Sequence, residues 1–86
     1  MDHLLLPAGA SEGRHRHTGL EEIYYVLNGD GEVTVENETA SIHKGDAVPI
    51  LLNQVHSFRS QGGQDLELMI VGIASRKGVL DTVEVK

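Results

Sequence analysis

RHRHTGLEEIYYVLNGDG, residues 14–31, sets two histidines one residue apart before a run of β-branched and aromatic side chains that stops at glycine. On a strand, residues i and i+2 share a face, so His15 and His17 project together with backbones about 6–7 Å apart, close enough for two imidazoles to reach one ion. A helix would need spacing i, i+4 for the same purpose. Gly19 and the β-branched run at 22–27 also oppose a helix. The stretch therefore reads as extended, with residues 22–27 (EIYYVL) as a strong strand. Asn28-Gly29-Asp30-Gly31 follows, a strong signal for a β-hairpin. An HxH pair alone reads more readily as two solvated surface histidines, so the rest of the chain has to decide.

Outward from this stretch the pattern repeats. Residues 32–36 (EVTVE) alternate polar and apolar with period two, as a half-buried strand does. A turn at Asn37-Glu38 leads to 39–43, and Lys44-Gly45-Asp46 turns the chain into 47–52. Asn53-Gln54 breaks that run before 55–59. Gln61-Gly62-Gly63-Gln64 then precedes 66–74, the longest β-like run. Residues 4–6 form a short apolar segment at the start, and 82–85 suit a final edge strand. Eight or nine short strands with tight turns predict one all-β antiparallel domain over 1–86, a sandwich closing towards a barrel. Residues 5–74 form its core and 75–86 a tail or edge strand.

Composition narrows the partners. The chain has 86 residues and carries 13 acidic against 7 basic residues, for a net charge of −6, and its lysines and arginines are scattered. Nucleic acid and anionic membranes are poor partners for such a surface. No apolar stretch is long enough to span a bilayer as a helix, and the first residues do not read as a signal peptide. There is no cysteine, which excludes disulfides and suits a reducing cytoplasm, the expected location. Any metal site must use His, Asp or Glu.

Glu22 and His56 are the candidates that would complete such a site. Glu22 opens the strong strand on the same face as Tyr24 and Val26, and a carboxylate inside a barrel is costly unless paired or bound to a cation. His56 follows a turn and shares a face with Phe58. Three imidazoles and one carboxylate make a mixed nitrogen and oxygen set suited to Fe, Mn, Co, Ni or Zn.

Gly9, His15, His17, Glu22 and Gly29 stand at the spacing Gly-x5-His-x-His-x4-Glu-x6-Gly, and in this the chain resembles the cupin family at every position of its first motif. The second motif, Gly-x5-Pro-x-Gly-x2-His-x3-Asn, is half kept. Gly45 and His56 match, while Leu51, Asn53 and Ser60 replace the Pro, Gly and Asn. Asn53 is a mild change, because asparagine tolerates the left-handed backbone that a turn glycine supplies. The resemblance runs over about 5–74. It implies a double-stranded β-helix, the jelly-roll β-barrel of that family, with a divalent metal held by His15, His17, Glu22 and His56. The spacing to Gly29 selects Glu22 over Glu21, which a strand would turn to the opposite face.

The resemblance also implies a function, either a small metal-dependent enzyme or a non-catalytic ligand-binding or sensory module. The enzyme reading covers oxygenase, isomerase, decarboxylase or lyase chemistry on a small polar molecule. A third reading makes the metal a staple for an undersized core. Tyr24 is the one candidate acid or base beside the ligands, and Tyr24 and Phe58 are candidate substrate contacts that core packing explains equally well. Met69 is expected in the core, and His3, His43 and Arg59 at the surface. Compact cupins usually carry further strands before the first motif, whereas only residues 1–6 precede it here. The expectation is a trimmed chain or a partner that completes an exposed sheet edge, which makes a homodimer the expected state.

Overall fold

The computed structural model describes residues 2–74 and 82–84, with the side chains of 2–16 and 18–73. Among these residues all regular structure is β. No helix there is long and apolar enough to cross a membrane. The strands are β1 (Asp2–Leu6), β2 (His15–His17), β3 (Leu20–Asn28), β4 (Asp30–Val35), β5 (Glu38–His43), β6 (Ala47–Ile50), β7 (His56–Gln61), β8 (Leu66–Ala74) and β9 (Thr82–Glu84). They form two antiparallel sheets, one ordered β1-β8-β3-β6 and the other β5-β4-β7-β2-β9. Together the sheets make a double-stranded β-helix, as the motif spacing implies. Within the expected final strand at 82–85, Val85 lies outside the described residues.

Alternation along the strands builds the core. Tyr24 and Val26 of β3, Leu66 and Leu68 of β8, Val33 of β4, Ile42 of β5, Ile50 of β6 and Phe58 of β7 all turn inward and pack as one cluster. Strand residues on the other side of each backbone face outward, as period two requires. Met69 is among them. It pairs with Tyr25 across β8 and β3 and is only half-buried, so the expectation that it belongs to the core is wrong by one residue of register.

The turn after the opening stretch corrects a second expectation. Asn28-Gly29-Asp30-Gly31 does not close a hairpin, because β3 pairs with β6 and β8 whereas β4 pairs with β5 and β7. The chain instead crosses from one sheet to the other at Gly29. Glycine is required there twice over, by a φ of 87° and because a Cβ would collide with the carbonyl oxygen of Asp65. A hairpin signal reports a reversal of direction. It does not say whether the two strands stay in one sheet. The real hairpin joins β4 and β5, with Val35 opposite Glu38. Its tight turn falls on Glu36 and Asn37, one residue earlier than expected, and Glu36 takes φ 55°. Reciprocal bonds with Val55, N–H to carbonyl at 2.7 Å and N–H to Glu36 Oε1 at 3.3 Å, hold it there.

The turn that delivers β7 departs from the family motif and is held by other means. Asn53 has φ 65°, the left-handed conformation of the replaced glycine. In place of proline, Leu51 donates its N–H to Gln54 Oε1 at 2.8 Å and accepts the Gln54 N–H at 3.2 Å. Ser60, at the motif's Asn position, is buried and donates to the Gln64 carbonyl at 3.0 Å.

Gly29 and Gly45 allow the close approach to be separated from the backbone conformation. Both have positive φ, but a Cβ on Gly45 would meet open space. Gly45→Ala should cost about 1–2 kcal/mol, the ordinary left-handed penalty. Gly29→Ala should cost at least about 3 kcal/mol or prevent folding, because a backbone carbonyl must move as well. Urea unfolding of the two variants compares them, and equal costs would mean that the crossing at Gly29 is looser than described.

Candidate metal centre

Two residues of the first motif, His15 and Glu22, come together on the wall of one cavity. His15 of β2 lies directly opposite His56 of β7 in the five-stranded sheet, with ring centroids 6.2 Å apart. Glu22 and Tyr24, two residues apart on β3, face them from the four-stranded sheet. These side chains and Glu12 line one small cavity of about 140 Å³. His17 lies in β2 opposite Thr82, and its side chain is outside the described residues. Phe58 stacks behind Tyr24 at 4.4 Å between centroids, is 1% exposed, and lies in the core rather than on the cavity wall.

A short polar chain crosses from sheet to sheet. The Tyr24 hydroxyl donates to Glu22 Oε1 at 2.8 Å and lies 3.2 Å from His56 Nε2. His56 is 1% exposed, and its Nδ1 is 3.4 Å from the Gln54 carbonyl. Because the Tyr24 proton goes to Glu22, the contact with Nε2 is a hydrogen bond when Nε2 carries the ring proton; with the proton on Nδ1, towards the Gln54 carbonyl, Nε2 instead presents its lone pair to an ion. Burial, then the negative charge of Glu22 and its hydrogen bond, push the Tyr24 phenol far above its ordinary range. At neutral pH Tyr24 is therefore a donor and not a base.

The donor chemistry fits a borderline divalent ion. Glu22 Oε1 and His56 Nε2 are 3.9 Å apart. Two donors about 2.0–2.2 Å from one ion stand no more than roughly 4.3 Å apart, so these two can share it. Among the described residues no three His, Asp or Glu side chains gather closely enough to hold an ion by themselves. His15 is offset towards Glu12, with Nδ1 3.7 Å from Oε1.

Glu12 is the cavity residue that the sequence did not single out. It falls in the variable stretch between Gly9 and His15, where the motif specifies nothing. Its place comes from the backbone, since Glu12 N–H donates to the Phe58 carbonyl at 2.8 Å and Ser11 bridges to Arg59. That pairing runs the loop alongside β7 and carries the Glu12 side chain to the cavity. On the other side of the loop is a larger recess of about 320 Å³, which Glu12 also lines. Its walls are mostly hydroxyl groups and the loose Arg59–Glu32 pair at 3.9 Å, so the smaller cavity is where nitrogen and oxygen donors converge.

The remaining described histidines are surface residues. His3 contacts Glu67 at 2.6 Å and His43 contacts Asp30 at 2.9 Å, both exposed. Glu21 pairs opposite Ile73, on the side of β3 away from the cavity.

The family model described as Cupin domain matches residues 2–72. The oxalate-binding protein of Thermotoga maritima is 38% identical over 66 residues, 77% of this chain and 54% of that protein. An uncharacterized protein of Methanocaldococcus jannaschii is 34% identical over 65 residues, 76% of this chain and 52% of its own length. The chain thus spans about half the length of these curated relatives. A solved structure from T. maritima, described as a predicted oxalate decarboxylase, matches with a TM-score of 0.80 at 36% identity. That match covers 84% of this chain and 63% of the other.

The exposed pair gives a test with a defined sign. The hydrogen bond to Asp30 raises the His43 pKa; desolvation opposes it, and the charges of Asp30 and Asp46 add to the rise. Protonation then favours the fold. This contribution is complete below about pH 6.5 and fades as pH rises through the raised value. The stability lost in Asp30→Asn should be larger at about pH 5.5 than at about pH 9 by thermal unfolding. A loss that is the same at both would contradict the pairing.

Proposed function

The chain belongs to the cupin family, and from that premise we propose that it is a metal-dependent cupin enzyme acting on a small organic acid. The observation that carries the reading is the polar chain from Glu22 through Tyr24 to His56 on the wall of one small cavity. His15, His17, Glu22 and His56 would hold the metal, drawn from Fe, Mn, Ni, Zn or Co. When bound, a divalent ion there supplies Lewis-acid polarisation of an oxygen or a hydroxide at neutral pH.

This chain's own residues do the positioning. The Gln54 carbonyl faces His56 Nδ1 at 3.4 Å, so the tautomer protonated there would turn Nε2 to the metal. Tyr24 fixes the rotamer of Glu22 and keeps its proton. It can donate to an anionic oxygen in the cavity, but it cannot take a proton from a substrate. Phe58 backs the tyrosine ring and excludes water from that side. Glu12, beside His15, is the group placed to exchange a proton with a bound molecule.

The cavity holds the equivalent of four or five waters at about 30 Å³ each, so its occupant has only a few heavy atoms. Together with the names of the relatives, this makes oxalate and similar dicarboxylates the first compounds to try, with decarboxylation ahead of oxygenase, isomerase or lyase chemistry. The second reading is a non-catalytic binding or sensory module. It is supported by the relative named for binding oxalate and by the protonated tyrosine, which leaves few proton-transfer groups. A cytoplasmic location and a homodimer complete the proposal.

Isothermal titration with Mn, Fe, Ni, Co and Zn tests the ligand set. The wild type should bind one equivalent, and Glu22→Gln and His56→Ala should each bind at least 100-fold more weakly while keeping the far-UV circular dichroism of the parent. No binding of any of these metals by the wild type would overturn the proposal. If the metal-loaded chain binds oxalate but neither consumes it nor releases formate, the binding-module reading replaces the enzyme.

A further inference from the structure

Glu12 reaches the small cavity through an irregularity in the five-stranded sheet. Ser11 lies opposite Arg59 and His15 opposite His56, so residues 12–14 on one side face only Ser57 and Phe58 on the other. One residue is extra, which is the count of a β-bulge. The bond from Glu12 N–H to the Phe58 carbonyl at 2.8 Å puts the surplus at Gly13 and Arg14, opposite Ser57. Residues directly opposite each other on neighbouring strands share a face. Ser11 therefore turns outward with the exposed Arg59, while Glu12 and His15 both turn inward with the buried Phe58 and His56. Without the extra residue, positions 12 and 15 would fall on opposite faces of the chain.

This placement makes Glu12 a shared wall. Of the described residues, it alone lines both the cavity of about 140 Å³ and the outer recess of about 320 Å³. Its side chain stands beside His15, 3.7 Å from Nδ1, and its Oε1 is buried. Beyond it the recess runs over three hydroxyl residues in one row across β7, β4 and β5, because Thr34 lies opposite both Ser57 and Thr39. The loop that carries the wall is fastened along β7. Ser60 N–H donates to the Ala10 carbonyl at 2.8 Å on one side of Ser11, and the Glu12–Phe58 bond holds the other side.

We propose that Glu12 determines specificity by setting the length of the ligand that the metal centre accepts. Its side chain closes the inner cavity, so a molecule held at the metal must end within about 140 Å³. A shorter side chain at position 12 joins that cavity to a recess more than twice as large, where a longer ligand lays a polar tail along the hydroxyl row. The role is one of bulk, and it is separate from proton exchange, which a carboxylate performs whatever the length of the ligand. The size limit rests on the metal binding proposed above.

Binding of imidazole and of N-acetylhistamine to the cobalt-loaded chain, followed by the visible absorption of the cobalt, tests it. Both probes coordinate through the same ring. The second adds only a neutral amide tail, so loss of the Glu12 charge affects the two alike. The wild type should bind imidazole at least about 10-fold more tightly than N-acetylhistamine. Glu12→Ala should tighten N-acetylhistamine at least about 10-fold and change imidazole less than about 3-fold, whereas Glu12→Gln, which keeps the bulk, should keep the preference of the wild type. Equal tightening of both probes in Glu12→Ala, or a Glu12→Gln variant that behaves like it, would overturn the wall, as would a wild type that binds both equally. The cobalt affinity of Glu12→Ala should match the wild type; a loss of about 10-fold or more would make Glu12 a ligand instead. Should circular dichroism show that alanine prevents folding, Glu12→Asp should shift the preference in the same direction, and no shift there would overturn the proposal. A wild type that takes up no cobalt removes the metal binding and this inference together, whereas one that takes up cobalt without discriminating the probes removes the wall alone.

Discussion

The hydroxyl of Tyr24 is the polar link that spans the interior of this barrel, and the site depends on it. It donates to Glu22 on its own strand and meets Nε2 of His56 on the opposite sheet at 3.2 Å, between side chains that are otherwise apolar. Burying a carboxylate and an imidazole costs several kcal/mol unless each finds a partner, and a half-satisfied network is worse than none. The sheets must therefore sit at the separation that brings the Tyr24 hydroxyl within reach of both groups. Phe58, Leu66 and Leu68 fill the rest of that gap and fix it. Packing at one end of the barrel sets the geometry of the polar end.

Much of this was legible because strand geometry and ligand spacing obey the same period. Glu22 separates from Glu21 by alternation, one towards the cavity and the other opposite Ile73. The left-handed turn at Asn53 was also readable, since asparagine is among the few residues that adopt it. What stayed hidden was non-local. Gly29 looks like the apex of a hairpin, and only the Asp65 backbone packed against it shows that the chain changes sheets there. Glu12 reaches the cavity through a backbone bond to β7, and no side-chain pattern records that bond. Met69 was misplaced because an almost continuous apolar run, 66–74, does not say which of its two faces is the core.

That ambiguity has physical content. A sheet whose strands are apolar on both faces has something to cover on both, and here one face is covered by the second sheet. The polar outer face of the five-stranded sheet shows that this sequence alternates strictly where the sheet meets water. Where it fails to alternate, on β3 and β8, Ile23 and Tyr25 lie opposite Val71 and Met69 on the outer face.

The proposal that His15, His17, Glu22 and His56 together would hold one divalent ion bears most of the functional reading. X-ray absorption at the zinc edge, on the chain loaded with one equivalent of zinc, tests it most directly. The account predicts a first shell of nitrogen and oxygen at about 2.0–2.2 Å with the outer-shell scattering of at least two imidazole rings. A shell of oxygens alone, without imidazole scattering, would contradict it.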